Sequence, residues 1–510
     1  MNILALNTRL CLIVFSIAFA VFWCLSLVQA DPPWEQTHKL LPSDGFLGDW
    51  FGSPIVLSGN TALIGAPFDD DDGTDSGSAY AFDITTGQEL FKVTASDGAS
   101  QDHFGRSLAM SGDRFLVGSP FNDALGKDSG SVYVFKSAGG RQLYKLVPSD
   151  VAVSDNFGMA VALSDNLAVI GSVGDDDNGA LSGSAYVFDI FTRQQIFKLL
   201  ASDGMEGDQF GNPIAVSGQI AVIGAPSSDE FGLNSGAAYV FDISTGEQLF
   251  KLVASDEAAY DEFGAAISIS GNTAVITSFA DNDNGERSGS AYVFDLSTGQ
   301  QLFKLLASDG AAGDVFGNSV SLSGNLAIIG AKSDDDNGVD SGSVYLFDIS
   351  TGEQLTKMRA PDGAPSDLFG ASVALSGTTA VAGSIWDDDN RMNSGSAYVL
   401  EPQTTNYLSV DPFPLIAGQN GIFSIVQALP QERTWLLYSI NGLGQTFIPP
   451  LNVTIDLNKP KIAFGPQLTD ANGNLQLVLL IPHNAIVNSI WFQTVQRENV
   501  TNFFQTQIVR

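Results

Sequence analysis

Residues 104–156 read FGRSLAMSGDRFLVGSPFNDALGKDSGSVYVFKSAGGRQLYKLVPSDVAVSDN. The Phe-Gly pair that opens this stretch recurs every 53 residues, without insertion or deletion. The seven pairs begin at Phe51, Phe104, Phe157, Phe210, Phe263, Phe316 and Phe369. A fixed period near 50 residues with four short strand-like runs per unit predicts a β-propeller with one blade per repeat. We therefore expect an all-β fold built on a seven-bladed propeller.

Within each repeat, apolar runs alternate with turn residues. In the sixth copy, for example, turns fall at Gly324-Asn325 and Thr351-Gly352. Such dipeptides suit tight hairpins, because Gly accepts the positive φ that these turns require. A Tyr occupies one position of the third run in every copy, and in six copies a Phe follows two residues later. Because residues two apart share one face of a strand, we expect these aromatic side chains to pack between blades.

The two ends of the repeat region predict how the ring closes. The seventh copy stops after its third run, at Pro402. A matching fourth run, THKLLPSDG at residues 37–45, stands at the other end of the region, where Lys39 precedes Phe51 by the spacing found in the other copies. We expect this N-terminal strand to complete the last blade, which removes an open sheet edge.

The balance of charges is strongly acidic. The 510 residues include 57 acids and 23 bases, for a formal net charge of −34. Nucleic acid is therefore not an expected partner, because its phosphates are bound through Lys and Arg. Residues 403–510 hold equal numbers of acids and bases, so the excess acid lies in the repeats. This difference also indicates two separate modules.

The first 30 residues have the pattern of a secretory signal peptide. A weakly basic start ending at Arg9 precedes an apolar run, and Val28-Gln29-Ala30 offers a cleavage site. The apolar run is also long enough for an uncleaved anchor, which is the alternative. With cleavage, no transmembrane segment is expected to remain. The predicted location is extracellular, either secreted or at the cell surface.

Both cysteines lie within the predicted signal segment, at Cys11 and Cys24. We therefore expect residues 31–402, the propeller, to contain no disulfide and no cysteine-bound metal.

After residue 402 the repeat disappears. Residues 403–510 contain several short apolar runs separated by Pro, Gly and Asn, which predicts a small β-sandwich of immunoglobulin-like kind.

The repeats resemble the FG-GAP repeats of integrin alpha-subunit propellers, and in particular those of secreted bacterial proteins. The resemblance rests on pairs of motifs such as Phe51-Gly52 with Gly65-Ala66-Pro67 and Phe210-Gly211 with Gly224-Ala225-Pro226. It implies a seven-bladed extracellular propeller with a binding or adhesion role. The chain departs from the integrin pattern in one respect. The turn between the first two runs is only SGN in several copies, without the acidic residues of integrin calcium loops.

Acidic residues instead crowd the loop between the second and third runs, in sequences such as DDDNG. Carboxylate and Asn oxygens are suitable Ca²⁺ ligands, although the distal Glu of a calcium loop is missing. One hypothesis is that these loops bind Ca²⁺ as the only cofactor; the other is that they form Asx-turns in solvent. The candidate metal ligands are Asp69, Asp71, Asp175, Asp177, Asp281, Asp283, Asp334, Asp336, Asp387 and Asp389. The Asp two residues before each Phe-Gly is expected to bond backbone instead.

Copies that break the pattern are the candidates for asymmetric ligand binding. In the seventh copy Trp386 precedes the acidic run and Arg391 follows it, and in the fourth copy Glu230 and Phe231 replace the usual residues. An exposed Trp beside acids could bind a sugar or a basic peptide. The alternative is that these are loop residues that have drifted without a role.

The leading functional prediction is a secreted, non-enzymatic propeller that binds an extracellular protein or glycan on an acidic face. The alternatives are a structural component of the cell envelope and a carbohydrate-active enzyme. The three histidines, His38, His103 and His483, stand in unrelated settings, and no catalytic motif is present. Pairs of carboxylates could support glycoside hydrolysis, but near-identical repeats leave little room for one unique pocket.

Overall fold

In the computed structural model, residues 34–402 are described throughout, and residues 403–510 only through the backbone of their strands. Trp34–Glu401 form one compact unit, and a second unit contains Pro402–Arg510. The predicted signal peptide, residues 1–30, lies outside the described residues. Within the described part of the chain, no helix is long and apolar enough to cross a membrane.

The first unit is a ring of seven four-stranded antiparallel sheets, as predicted. Blade 1 contains β2 (Ile55–Ser58), β3 (Thr61–Ala66), β4 (Ser78–Asp83) and β5 (Gln88–Val93); blade 2 contains β6 (Ser107–Ser111), β7 (Arg114–Ser119), β8 (Ser131–Lys136) and β9 (Arg141–Leu146); blade 3 contains β10 (Phe157–Ser164), β11 (Leu167–Ser172), β12 (Ser184–Asp189) and β13 (Gln194–Leu199). Blade 4 contains β14 (Ile214–Ser217), β15 (Ile220–Ala225), β16 (Ala237–Asp242) and β17 (Glu247–Leu252); blade 5 contains β18 (Ile267–Ser270), β19 (Thr273–Ser278), β20 (Ser290–Asp295) and β21 (Gln300–Leu305); blade 6 contains β22 (Phe316–Ser323), β23 (Leu326–Ala331), β24 (Ser343–Asp348) and β25 (Glu353–Met358).

Blade 7 combines both ends of the propeller sequence. It contains β26 (Phe369–Ser376), β27 (Thr379–Ser384), β28 (Ser396–Pro402) and β1 (Trp34–Leu40), in the order β1-β28-β27-β26. The predicted closing strand is therefore confirmed, although it spans Trp34–Leu40 rather than residues 37–45. The first strands of consecutive blades contact one another around the whole ring, with β26 returning to β2. These first strands consequently lie nearest the axis.

Aromatic side chains fill the space between blades. Phe104, from the Phe-Gly pair, packs edge to face on Tyr133 and Phe135, with ring centroids 5.4 and 5.9 Å apart. The three rings share a buried cluster with Val93 and Leu63 of the preceding blade. Fully burying one such ring stabilises the fold by roughly 1.5–3 kcal/mol. The predicted aromatic column between blades is therefore confirmed.

A backbone joint that recurs in every repeat explains the Gly of its Ser-Gly pair, for example Ser235-Gly236. The backbone N–H of Phe263 donates to the Ser235 carbonyl at 2.8 Å, and Gly236 forms a bridge with Phe263. Gly236 has φ +95°, and a Cβ there would lie 2.1 Å from the Phe263 carbonyl oxygen. Only Gly fits this contact, which fastens the third strand of blade 4 to the start of blade 5.

The second unit is built from strands alone where it is described. Its sheets have the orders β29-β31-β36, β30-β39-β37-β32-β35 with β38 beside β37, and β33-β34. The bounds are β29 (Tyr407–Asp411), β30 (Leu415–Ile416), β31 (Asn420–Val426), β32 (Arg433–Ser439), β33 (Leu443–Ile448), β34 (Val453–Leu457), β35 (Lys461–Leu468), β36 (Leu475–Leu480), β37 (Val487–Gln496), β38 (Asn499–Val500) and β39 (Phe504–Val509). The β-sandwich stays a prediction.

In the propeller, one short 3-10 turn occurs at Ala138–Gly140, between the third and fourth strands of blade 2.

Candidate functional site

The strand order gives the propeller two different faces. Loops between the second and third strands, and loops between blades, emerge on one side, which we call the loop face. The two hairpin turns of each blade emerge on the other side, which we call the turn face. On the loop face the two kinds of loop bond to each other; for example, the Gln101 N–H donates to the Thr74 carbonyl at 2.8 Å. The acidic loops therefore share one face, as predicted.

The acids on the loop face are grouped around lysines. In blade 5 the Nζ of Lys304 lies 2.7 Å from Asp256, 2.9 Å from Asp281 and 2.6 Å from Asp283. The hydroxyl of Tyr292 donates to Asp281 at 2.8 Å. Asp281 lies almost entirely buried, whereas the other two carboxylates are about half exposed. We call this arrangement a lysine-centred cluster.

The same cluster recurs with three carboxylates in four further blades. Those clusters are Lys92 with Asp44, Asp69 and Asp71; Lys198 with Asp150, Asp175 and Asp177; Lys357 with Asp309, Asp334 and Asp336; and Lys39 with Asp362, Asp387 and Asp389. All ten candidate metal ligands thus fall into these five clusters, two in each blade. The structure does not bring them into one shared site.

The lysine changes the electrostatics of each cluster. Burial by itself raises the pKa of Asp281, but hydrogen bonds from Lys304, the Asp283 backbone and Tyr292 hold that pKa below its ordinary value. Burial likewise lowers the pKa of Lys304, yet the surrounding carboxylates raise it overall. Both groups are therefore charged at neutral pH. The two hypotheses drawn from sequence for these loops considered only the acids and overlooked the lysine, which recurs every 53 residues.

The geometry of the acidic loops also supports the Asx-turn interpretation. The Asp283 N–H donates to the Asp281 carboxylate at 2.9 Å, and the same bond joins Asp389 to Asp387. Two groups, Asp256/Asp281/Asp283 and Asp309/Asp334/Asp336, nevertheless bring three carboxylate oxygens within 4.8 Å of one another. Such groups could hold a hard cation, but in both the lysine ammonium already lies among the oxygens. Calcium binding stays a prediction.

The Asp two residues before each Phe-Gly has the backbone role predicted for it. Asp49 accepts a hydrogen bond from the N–H three residues earlier, and the six equivalent residues do the same. Burial raises the pKa of Asp49 and of Asp367 to about 6. The other members of the set are Asp102, Asp155, Asp208, Asp261 and Asp314. These side chains close the inter-blade loops and are not free for a ligand.

Blade 4 carries an altered cluster, in which Lys251 pairs with Asp203 and Glu230. Ser228 replaces the buried Asp, and the fully buried hydroxyl of Tyr239 makes no hydrogen bond. Glu257 stands where blades 3 and 5 begin the equivalent turn with Gly, and neither of its carboxylate oxygens is exposed or has a hydrogen-bond partner. Burial raises the pKa of Glu257 to about 7. Of the candidate ligand residues, Glu230 pairs with Lys251, and Phe231 is 53% exposed.

The other two candidate ligand residues lie in blade 7, so the structure does not join them to Glu230 and Phe231. The Arg391 guanidinium stacks 4.8 Å above the ring of Phe46. Trp386 is half-buried, and its indole N–H is buried without a partner. Trp386 begins a continuous line of aromatic rings that sequence reasoning missed.

This line, which we call the aromatic row, runs from Trp386 through Trp50, Phe68 and His103 to Phe121. Successive ring centroids are 6.0, 4.5, 4.8 and 4.9 Å apart. All five rings are half-buried, and they stand where first strands begin and second strands end, on the inner part of the loop face. Burial lowers the pKa of His103, so its ring is neutral at pH 7.

The aromatic row breaks the symmetry of the ring. Trp386, Phe68 and Phe121 occupy equivalent positions in blades 7, 1 and 2. The remaining blades have Gly174, Ser227, Ala280 and Ser333 there. One arc of three blades is therefore aromatic, and the opposite arc has small residues. The sequence signal was available in the aligned repeats, but the contact between Trp50 and Trp386 depends on ring closure.

Two comparisons with known proteins bear on this architecture. A family model described as FG-GAP repeat matches seven consecutive segments, residues 34–82, 88–135, 141–188, 194–241, 247–294, 300–347 and 353–400. Each segment begins at the fourth strand of one blade and ends in the third strand of the next. A search of curated proteins found no match.

Proposed function

The chain belongs to the FG-GAP repeat family, with an integrin alpha-like seven-bladed propeller, and from this premise we propose that it is an exported, non-enzymatic protein that binds an extracellular protein ligand on its loop face. The family suggests a binding or adhesion type of module, because FG-GAP repeats are typical of extracellular proteins. The observation that carries the proposal for this chain is the aromatic row.

Half-buried aromatic rings in mutual contact are suited to binding. Trp and Tyr or Phe provide large apolar contact area with few rotatable bonds, and such residues dominate the energetics of protein interfaces. Because Trp386, Trp50 and Phe68 are held against one another, little conformational entropy is lost when a ligand covers them. The unpartnered indole N–H of Trp386 supports the same interpretation, since a ligand could supply its missing acceptor.

The charges near the row define the kind of ligand. Asp70 and Asp388 are exposed and follow directly after the acids of the clusters in blades 1 and 7. The ligand that fits is therefore an extracellular protein segment that carries apolar side chains next to Lys or Arg. Its apolar groups would cover the rings, and its basic groups would meet exposed carboxylates and increase the rate of association.

Selection from a displayed library of random peptides tests this proposal on the full chain. We expect enriched peptides to combine aromatic or aliphatic residues with Lys or Arg. Trp386→Ser, which installs the residue of Ser227 and Ser333, is expected to weaken binding of a selected peptide at least tenfold. Leu302→Ser on the outermost strand of blade 5, where Leu302 is also exposed, is the matched control and is expected to bind normally.

Two results would contradict the proposal. One is a selection that enriches no peptide. The other is a set of peptides that binds the Trp386→Ser variant and the unaltered chain equally well. A glycan array run on the same variants addresses the second ligand class predicted from sequence: glycan binding that depends on Trp386 would replace the protein ligand with a carbohydrate.

The two alternative functions have tests of their own. A structural component of the envelope would associate with copies of itself, which sedimentation of the purified chain would detect. A carbohydrate-active enzyme would turn over at least one member of a broad glycoside panel. The absence of an enzymatic role is part of the proposal, and turnover of any glycoside would overturn it. Loss of that turnover in Glu257→Gln would assign the activity to the buried carboxyl of Glu257.

A second part of the proposal concerns whether the lysine-centred clusters bind calcium. We propose that the lysine ammonium is the resident cation of each cluster, because it lies within 2.9 Å of all three carboxylates in blade 5. On this basis the blades do not require Ca²⁺ to fold. The competing hypothesis from sequence is that Ca²⁺ raises the melting temperature, and a thermal scan with Ca²⁺ or a chelator decides between the two.

A further inference from the structure

A cavity lies on the turn face, on the side of the propeller opposite to the aromatic row. It has a volume of about 180 Å³ and is formed at the boundary between blades 2 and 3. Its walls are the first hairpin turn of blade 2, residues 111–114, the first turn of blade 3 at Asp165 and Asn166, and the ring of Phe191. The Ser111 hydroxyl accepts a hydrogen bond from the Asp165 N–H at 3.2 Å, which fixes the two turns relative to each other.

The residues around this cavity depart from the repeat. Asp165 has φ +50° at a position where the other six copies have Gly with φ between +56° and +59°. Asp is one of the few non-Gly residues that adopt this conformation readily. Arg193, with φ +63°, likewise replaces the Gly of the other complete second turns. Both departures from Gly therefore fall in the hairpin turns of blade 3.

Arg114 and Phe191 are further departures that form one wall together. Arg114 stands where other blades have Thr, Leu or Ile, and Phe191 where they have Thr, Ala or Ser. The guanidinium lies 4.8 Å from the centroid of the Phe191 ring, which is 58% exposed. Stacking of this kind holds the guanidinium plane in place and leaves its edge free for hydrogen bonds.

The hydrogen bonding of Arg114 is incomplete. Its Nε is buried and has no hydrogen-bond partner. The nearest carboxylate oxygen, on Asp113, is 3.8 Å away, which is too far for a hydrogen bond. A buried donor without an acceptor costs roughly 1–3 kcal/mol. Arg114 therefore retains unused hydrogen-bonding capacity beside the cavity.

We propose that this cavity is a binding site for one sugar ring, the terminal or branching pyranose of a glycan. Each sugar hydroxyl both donates and accepts, so it can use a mixed set of polar groups. Asp113 and Asp165 accept from hydroxyl groups, and Arg114 and Asn166 donate to them. The exposed face of Phe191 covers the apolar C–H face of the ring.

The same set of groups argues against other small ligands. An anion would be repelled by the carboxylates of Asp113 and Asp165, which outnumber the single guanidinium. A metal cation would be repelled by the guanidinium of Arg114. An uncharged, hydroxyl-rich ligand satisfies both signs of charge. The volume is below the range of about 300–1,000 Å³ that holds drug-sized ligands, which limits the site to a single ring.

Binding to the full chain is measured by saturation-transfer NMR with glucose, galactose, mannose and N-acetylglucosamine, followed by titration of the best ligand. Arg114→Thr and Phe191→Ser install residues that other blades carry at the same positions, so both variants are expected to fold. We expect each to weaken sugar binding at least tenfold. Thr273→Ala, at the position of Arg114 in blade 5, is the matched control and is expected to leave binding unchanged.

Failure to bind any of the four sugars would overturn this inference, and so would equal binding by the Arg114→Thr and unaltered chains. Trp386→Ser separates the two proposed sites, because it is expected to weaken peptide binding on the loop face at least tenfold and to leave sugar binding intact. Sugar binding that is lost only with Trp386→Ser would assign the sugar to the loop face and refute the site at Arg114. The outcome for the peptide ligand is therefore independent of the outcome for the sugar.

Discussion

The ammonium of Lys304 lies 2.9 Å from the carboxylate of Asp281, a side chain that is only 5% exposed. The two residues sit on different strands and loops of one blade, and four other blades repeat the contact. An Asp buried this deeply is stable as a carboxylate only with a charged partner. The lysine is therefore part of the blade structure, as the Phe-Gly pair is.

Removal of the lysine should convert such a cluster into a cation site. We expect Lys304→Met to lower the free energy of unfolding by on the order of 3 kcal/mol, because it leaves a buried carboxylate unpaired. Three carboxylate oxygens that lie within 4.8 Å of one another would remain. Millimolar Ca²⁺ should then restore much of the lost melting temperature, as measured by calorimetry with and without a chelator.

Lys145→Met in blade 2 is the matched control for that experiment. The corresponding cluster has Asn122 in place of the buried Asp, so Lys145 meets only one carboxylate, that of Asp97. We expect a smaller loss of stability and no rescue by Ca²⁺. Equal rescue of both variants would mean that the gain comes from general screening of the acidic surface rather than from a site.

The stability of the propeller should fall as pH rises from about 4 to about 7. Burial raises the pKa of Asp49 and Asp367 to about 6 and that of Glu257 to about 7. A carboxyl whose pKa is higher in the folded state costs stability progressively as pH rises from the unfolded value to the folded one. Asp281, whose pKa is lowered, instead loses its contribution only as pH falls below about 4. We expect the highest melting temperature near pH 4–5.

Glu257→Gln isolates one contributor to this pH dependence. A pKa difference of one corresponds to about 1.4 kcal/mol, so the substitution should stabilise the protein by on the order of 2 kcal/mol at pH 8 and by almost nothing at pH 4. The exposed Glu247 of the same blade provides the control variant Glu247→Gln. If both variants shift the melting temperature equally at pH 8, the effect is one of net charge and not of the buried carboxyl.

The architecture was predictable from sequence because its determinants are periodic. The Phe-Gly spacing counts the blades, and the missing fourth run after Pro402 identifies β1 as the closing strand. The backbone role of Asp49 and its equivalents could be predicted for the same reason. Lys304 was equally periodic, but its significance depends on where the outermost strand lies relative to the acidic loops, which a strand pattern alone does not reveal.

The aromatic row and the cavity at Arg114 were harder to predict. Each depends on residues that differ between repeats, and such residues become neighbours only when blades are placed side by side. Trp50 and Trp386 come from opposite ends of the propeller sequence and meet because the ring closes. Acidic composition, in contrast, drew attention to Asp69 and its equivalents, each of which forms an ion pair with a lysine of its own blade.

Deletion of the closing strand should open the ring. Without residues 34–40, β28 becomes an unpaired edge, and Asp387 loses the ammonium of Lys39 at 2.8 Å. We expect a lower melting temperature and concentration-dependent oligomers in size-exclusion chromatography, because an open edge pairs with other chains. A synthetic peptide of residues 34–45 should restore the monomer. A scrambled peptide serves as the control, and a deletion variant that stays monomeric and stable would refute the closure role.

The joint between Gly236 and Phe263 offers a steric test of why the motif is invariant in all copies. In Gly236→Ala the new Cβ would lie 2.1 Å from the Phe263 carbonyl oxygen, so either the third strand of blade 4 or the start of blade 5 must move. Gly218→Ala is the matched control, because Gly218 also has a positive φ, +59°, but nothing lies within 4 Å of its would-be Cβ. The control should cost roughly 1–2 kcal/mol, the penalty of the left-handed conformation alone. We expect Gly236→Ala to lower the melting temperature of the propeller at least twice as much, and equal shifts in the two variants would show that the contact is not what fixes the motif.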